Sequence, residues 1–286
     1  MDTAQDFRPI PTELSKQSDT PQLLAQPRKL KLGAGVDWIA QSWRLFARRK
    51  WTWMGMIIVM TLITMLIQLI PLIGLIGSLL SFFFIGGLML SCDALAEGDE
   101  LKFSFLFSGF QYKFKPLLIL TLLYLGIIVL LGAISFAVFG LSGLFSENAL
   151  QTFQPSASLL LPFAFIWLAF MAVMMALWLA PALVVLDDVS PWQAMKMSFQ
   201  AVWRNIPAFL VNGLVWLMIM MVVVFAALFL GLAISGFSLD IGNISTLTAI
   251  LWFLAMCLLM AVITPLMMIN AYISYRSIWT TPQLEI

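Results

Sequence analysis

Residues 51–92 read WTWMGMIIVMTLITMLIQLIPLIGLIGSLLSFFFIGGLMLSC, without one Asp, Glu, Lys or Arg. A bilayer core about 30 Å thick is crossed by roughly 20 apolar residues in a helix, so this run is about twice too long for one crossing. Pro71 and Gly74 stand at its middle, in Ile70-Pro71-Leu72-Ile73-Gly74, and mark a reversal. The run is therefore read as a hairpin of two spans, over about 51–70 and 73–92. The same rule carried outward places spans at about 116–139, 158–186, 206–234 and 246–275, the last expected to kink at Pro265. The expected fold class is an all-α integral membrane protein with six transmembrane helices.

Composition agrees. Of 286 residues, 62% are hydrophobic and 10% charged, and the mean hydropathy is +1.00. A soluble domain is about half apolar and about a quarter charged, so a water-soluble enzyme is excluded. Histidine is absent, which removes the commonest metal ligand and the side chain that titrates near neutrality. A net charge of +1 gives no basis for binding nucleic acid. Cys92 and Cys257 lie in or beside apolar runs and are expected to stay unpaired. Residues 1–36 carry Pro9, Pro11, Pro21 and Pro27 among polar and mixed-charge residues, and no apolar signal segment. They are expected to form a disordered cytoplasmic tail. Residues 37–280 are expected to form the six-helix domain and 281–286 a cytoplasmic C-terminus.

Orientation follows from Lys and Arg. Nine of the 15 precede the first span: Arg8, Lys16, Arg28, Lys29, Lys31, Arg44, Arg48, Arg49 and Lys50. Lys102, Lys113 and Lys115 lie between spans two and three, Lys196 and Arg204 between four and five, and Arg276 after six. The alternate connections have none. This bias places both termini in the cytoplasm. The spans as drawn hold no charged residue, which argues against ion-coupled transport.

A pattern recurs before each odd-numbered span. Asp37, Gln41, Arg44 and Arg48 form one polar helical stripe, with Ile39, Trp43 and Phe46 opposite. Ser104, Ser108, Gln111 and Lys115 repeat it, with Leu106, Phe110 and Phe114 opposite. Gln193, Gln200 and Arg204 repeat it again, interrupted by Met197, with Trp192, Met195, Phe199 and Val202 opposite. In the third, Ser190 suits a cap, Pro191 the first helical position and Gln193 a capping box. Such stripes describe helices lying in the membrane interface. The expected unit is an amphipathic helix followed by a two-span hairpin, used three times. The plainer alternative is that residues flanking any cytoplasmic span tend to be basic and aromatic.

Chemistry-bearing sets are scarce. No catalytic, cofactor-binding or metal-ligating constellation is found, and no cofactor is expected. Asp187 and Asp188 read as the stop of a span. Candidate lipid-headgroup contacts are Arg44, Arg48, Lys115, Lys196 and Arg204. Candidate intramembrane polar contacts are Asn212, Thr264 and Asn270, whose plain role is hydrogen bonding between helices.

Residues 181–209, PALVVLDDVSPWQAMKMSFQAVWRNIPAF, and 270–279, NAYISYRSIW, carry a family likeness. They resemble the membrane-domain superfamily associated with glycerophosphoryl diester phosphodiesterases and its stand-alone six-span relatives in proteobacterial inner membranes. The likeness runs over about 35–280 by topology and is specific over about 181–208. It implies fold and location. It implies no enzymatic activity, because the phosphodiesterase catalytic domain has no counterpart here. The expectation is a non-enzymatic integral membrane protein that engages membrane lipids, a protein partner or a second copy through its interfacial helices. The alternative is a transporter or channel for an apolar or lipid-like substrate, whose sign would be a continuous cavity among spans four, five and six.

Overall fold

The computed structural model describes residues 21–69, 73–141, 157–234 and 246–281. Strand β1 (Gln22–Leu23) precedes α1 (Ala34–Arg48), α2 (Lys50–Gln68) and α3 (Ile73–Ala96). A 3₁₀ turn (Phe103–Phe107) and α4 (Ser108–Tyr112) lead into α5 (Phe114–Leu141). Then come α6 (Ala157–Trp178), α7 (Ala180–Leu186), α8 (Pro191–Arg204), α9 (Ile206–Ile234), α10 (Thr246–Trp279) and β2 (Thr280–Thr281). Among the described residues, six segments are long and apolar enough to cross a membrane: Lys50–Gln68, Leu79–Ala96, Phe114–Val138, Leu161–Leu186, Ile206–Ala233 and Ala249–Trp279. The chain is a multi-pass membrane protein. Inside a bilayer each backbone N–H must bond within its own segment, so even these Val- and Ile-rich runs become helices. The reversal at Ile70-Pro71-Leu72, most of the expected 140–157 loop and the loop holding Asp240 lie outside the described residues.

Two expectations are corrected. The fourth span is broken after Trp178. Met175 and Leu179 are the pair that a continuous helix would join, and the Ser198 hydroxyl stands between them. It accepts from the Leu179 amide at 2.9 Å and donates to the Met175 carbonyl at 2.7 Å. Pro181, one residue into α7, has no N–H to continue the ladder. Second, α3 and α10 run beyond their expected ends, to Ala96 and Trp279, so Asp93 and Arg276 lie inside helices. Pro265 lies within α10.

The short helices also differ in detail. Helix α1 buries Gly35, Trp38, Ser42, Leu45 and Phe46, whereas Trp43 is 55% exposed. The expected helix over 104–115 is a 3₁₀ turn followed by one short helix, and Ser108 of its polar stripe is buried. Helix α8 starts as expected, with Ser190 at the cap and Pro191 at its first position, though the Ser190 side chain makes no capping bond. It buries Ala194, Met195, Ser198, Ala201 and Val202, while Trp192 is exposed. Helix α1 packs on α9 and α10, the 3₁₀ turn and α4 pack on α3, and α8 packs on α6 and α7. Close backbone contacts demand glycine at Gly35 and Gly109 among others: a Cβ at Gly35 would sit 2.3 Å from the Ala208 carbonyl oxygen, and one at Gly109 2.1 Å from that of Phe83.

The hydrophobic core lies at the end of the bundle that carries Lys and Arg. It joins Trp38, Trp53, Phe84, Leu106, Leu183 and Tyr272, all almost fully buried. Burying one such side chain stabilises by about 1.5–3 kcal/mol where water is the alternative. Away from that end the apolar side chains point outward, as at Leu161, Phe229 and Leu247.

The disordered tail expected over 1–36 is docked in its later part. Gln22 and Leu23 pair antiparallel with Thr281 and Thr280. The Leu24 and Arg28 amides donate to the carbonyls of Trp279 and Ile278. Asn205, 1% exposed, accepts from the Leu30 amide at 2.8 Å and donates to the Arg28 carbonyl at 2.9 Å. Residues 1–20 lie outside the described residues. Asn205→Ala should therefore lower stability by about 1–3 kcal/mol, through buried backbone groups left unpaired. Limited trypsinolysis at Arg28, Lys29 and Lys31 should accelerate in that variant, and unchanged cleavage would show that the strap is not held there.

Candidate functional site

The last turns of α10 touch most of the other elements. Arg276 is 5% exposed. Its Nη1 donates to Asp93 Oδ1 at 3.0 Å and to the Tyr272 hydroxyl oxygen at 2.9 Å. The Tyr272 hydroxyl donates to the same Asp93 oxygen at 2.8 Å. One turn on, the Tyr275 hydroxyl donates to Asp187 Oδ2 at 2.6 Å. Arg276 Nε is buried without a hydrogen-bond partner among the described residues. The ends of spans two, four and six thus meet on one guanidinium, two carboxylates and two phenols. On the other side of α10, Trp38 Nε1 of α1 donates to Ser277 Oγ at 2.8 Å, and Trp178 Nε1 of α6 donates to Ser274 Oγ at 3.4 Å. Asp188 adopts a φ of +56° and pairs with Lys113.

Burial shifts two carboxyl groups here, Asp187 of the cluster and Glu97 beside it. Burial pushes the Asp187 carboxyl above its ordinary range. Tyr275 and Arg276 oppose the shift, and the negative charges of Asp93 and Asp188 add to it. Burial likewise raises Glu97, with Asp93 and Asp99 adding to the shift and Arg276 opposing it. Chemically the cluster anchors helix ends. It offers no nucleophile beside a base, and among the described residues no three His, Cys, Asp or Glu are grouped to hold a metal.

The candidate residues from sequence divide clearly. Asn212 and Asn270 meet in a reciprocal amide pair, 3.1 and 3.2 Å, buried between α9 and α10. Thr264 is only half-buried and is not part of that pair. Arg44, Arg48, Lys115, Lys196 and Arg204 are exposed and stand on α1, α5 and α8. Arg48 reaches the Leu95 carbonyl at 3.4 Å, and Lys196 Nζ lies 5.3 Å from the Trp192 ring centroid. Sequence reasoning missed Asp93, Tyr272, Tyr275, Ser198 and Asn205 as partners. Their only signal was position: a polar side chain one or two turns from a span's end.

Two cavities follow one another between α5 and α6, of about 330 and 340 Å³. The first lies under α8, and the second lies farther along both spans, past Gly132 and Phe163.

A family model described as "Domain of unknown function (DUF7847)" matches residues 70–278. No curated protein and no solved structure matches the chain.

The raised carboxyls set a direction for stability against pH. A folded carboxyl that holds its proton more tightly than the unfolded one contributes stability below its ordinary pKa, 3.8 for Asp187 and 4.5 for Glu97. That contribution is lost as pH rises through the raised folded value. Melting temperature should therefore fall as pH climbs from about 4 through the weakly acidic range. Asp187→Asn keeps an acceptor for Tyr275 and removes one charge, so its profile should be flatter than wild type. An identical slope would remove Asp187 from the cluster.

Proposed function

The chain belongs to that family, whose description carries no activity, and we propose that it is a non-enzymatic integral protein of the bacterial inner membrane that engages anionic lipid through three cytoplasmic interfacial helices. Both termini stand in the cytoplasm on this reading, which the exclusive placement of Lys and Arg on one side supports. The likeness to six-span domains associated with glycerophosphoryl diester phosphodiesterases belongs to the same proposal and rests on residues 181–209 and 270–279.

One observation carries the reading. Each short helix buries one face on the hairpin that precedes it in cyclic order: α4 on span two, α8 on span four, and α1 on spans five and six. In the register that aligns Trp43, Phe110 and Phe199, the preceding residues are Ser42, Gly109 and Ser198, all small and all buried. This supports three repeats of an interfacial helix plus a two-span hairpin, closed into a ring. The outer flanks keep Arg44, Arg48, Lys115 and Arg204 exposed beside Trp43 and Trp203, a composition suited to a headgroup layer.

Two measurements test this. Reporter fusions at Glu147 and Asp240 should read as periplasmic and a fusion after Ile286 as cytoplasmic; a periplasmic C-terminus would break the topology. Replacing Arg44, Arg48, Lys115 and Arg204 together by Gln should reduce anionic lipid copurified from native membranes several-fold, each near-surface cation contributing about 1 kcal/mol. Unchanged lipid together with a stoichiometric copurifying protein would contradict lipid engagement and indicate a subunit role.

A further inference from the structure

The crevice between α5 and α6 has a polar mouth and an apolar floor. Under α8 it is lined by Ile127 of α5 and by Ala172 and Ala176 of α6, with Trp192, Lys196 and Gln200 of α8 over the opening. Farther along the same two helices, the second cavity is lined by Ile128, Gly132 and Ser135 on one side and Phe163, Trp167 and Phe170 on the other. From Ala176 to Phe163 the helix rises about 20 Å at about 1.5 Å per residue. The hydrocarbon of one leaflet is about 15 Å deep, so the crevice spans the reach of one acyl chain. Small residues keep it open: a Cβ added at Gly132 would meet nothing within 4 Å.

The mouth has a complementary charge. Lys196 and Gln200 are one turn apart on the exposed flank of α8. Among the described residues Lys196 has no carboxylate partner, and its ammonium stands over the Trp192 ring at 5.3 Å. The ring face leaves ammonium N–H groups available to a phosphate, and a half-exposed Trp is at home at the level of headgroups.

We propose that this crevice binds one anionic phospholipid from the leaflet on the basic side, its phosphate held by Lys196 and Gln200 and one acyl chain laid between α5 and α6. This rests on the lipid-engaging reading above and deepens it, replacing a general surface attraction by one stoichiometric site on different residues.

The test uses the full chain in nanodiscs holding equal phosphatidylglycerol and phosphatidylcholine with the same acyl chains, followed by native mass spectrometry. Wild type should retain one phosphatidylglycerol. Lys196→Gln should cut its preference over phosphatidylcholine about fivefold, the share of one near-surface cation, while a lipid is still retained. Gly132→Phe should fill the deeper crevice and lower retention at least tenfold at unchanged melting temperature. Ala172→Trp, which fills it at the other cavity, guards against a folding defect in either variant. Equal retention of phosphatidylglycerol by wild type and both filled variants would overturn the proposal, and equal retention of both lipids by wild type would overturn its headgroup half. If the Arg44, Arg48, Lys115 and Arg204 variant loses bulk anionic lipid but keeps this one lipid, both readings stand. If it loses nothing while the filled variants release one lipid, the crevice stands and the broader reading fails. Loss only in the four-residue variant overturns the crevice alone.

Discussion

Arg276 is a guanidinium held 5% exposed at the end of a membrane span. Removing one charge from water without a partner costs several kcal/mol, so its bond to Asp93 fixes how α10 meets α3. Tyr272 shares the same oxygen and stacks its ring beside the guanidinium, 5.8 Å away. Once that register is set, Tyr275 falls opposite Asp187, Ser277 opposite Trp38, and Asn270 opposite Asn212. The strap over residues 22–30 then closes on the carbonyls that α10 leaves free at its end. One desolvated cation thereby orders contacts to spans two, four and five and to α1.

The position of the core has the same origin. Hydrophobic burial drives packing where water competes, and lipid offers no such drive between helices. The buried faces of α1, α4 and α8 sit where the chain meets water, while most side chains of α9 are exposed, as at Leu210, Leu217, Val222 and Phe229. The bundle is consequently tight at its basic end and loose within the membrane. Looseness there leaves the α5–α6 crevice, and tightness above supplies the fixed α8 that roofs it.

The spans were legible from sequence because length and the absence of charge are sufficient signals in lipid: Ile206–Ile234 matches the expected 206–234. Using charge as a boundary also caused the main error. Asp93 and Arg276 were taken as ends, but a paired charge can lie inside a helix, and nothing in a single sequence pairs residues 183 positions apart. The broken fourth span was hidden similarly, since Ser198, which fills the gap, lies 19 residues beyond Leu179. In α1 the polar stripe was right, yet Trp38 rather than Trp43 turned inward, because a helical face this rich in aromatics has two usable registers and tertiary contact with α9 and α10 selects one. Composition marked the tail as unable to form its own core, and its described part borrows Asn205 and the end of α10 instead.

A double-mutant cycle on Asp93 and Arg276 tests the central constraint most directly. Asp93→Asn, Arg276→Met and the double variant would be compared with wild type by thermal or denaturant unfolding in one detergent. The expected result is strong coupling, about 1–3 kcal/mol, with the double variant losing less than the two single losses added together. Additive losses, or single variants as stable as wild type, would contradict the claim that this pair sets the register of the bundle.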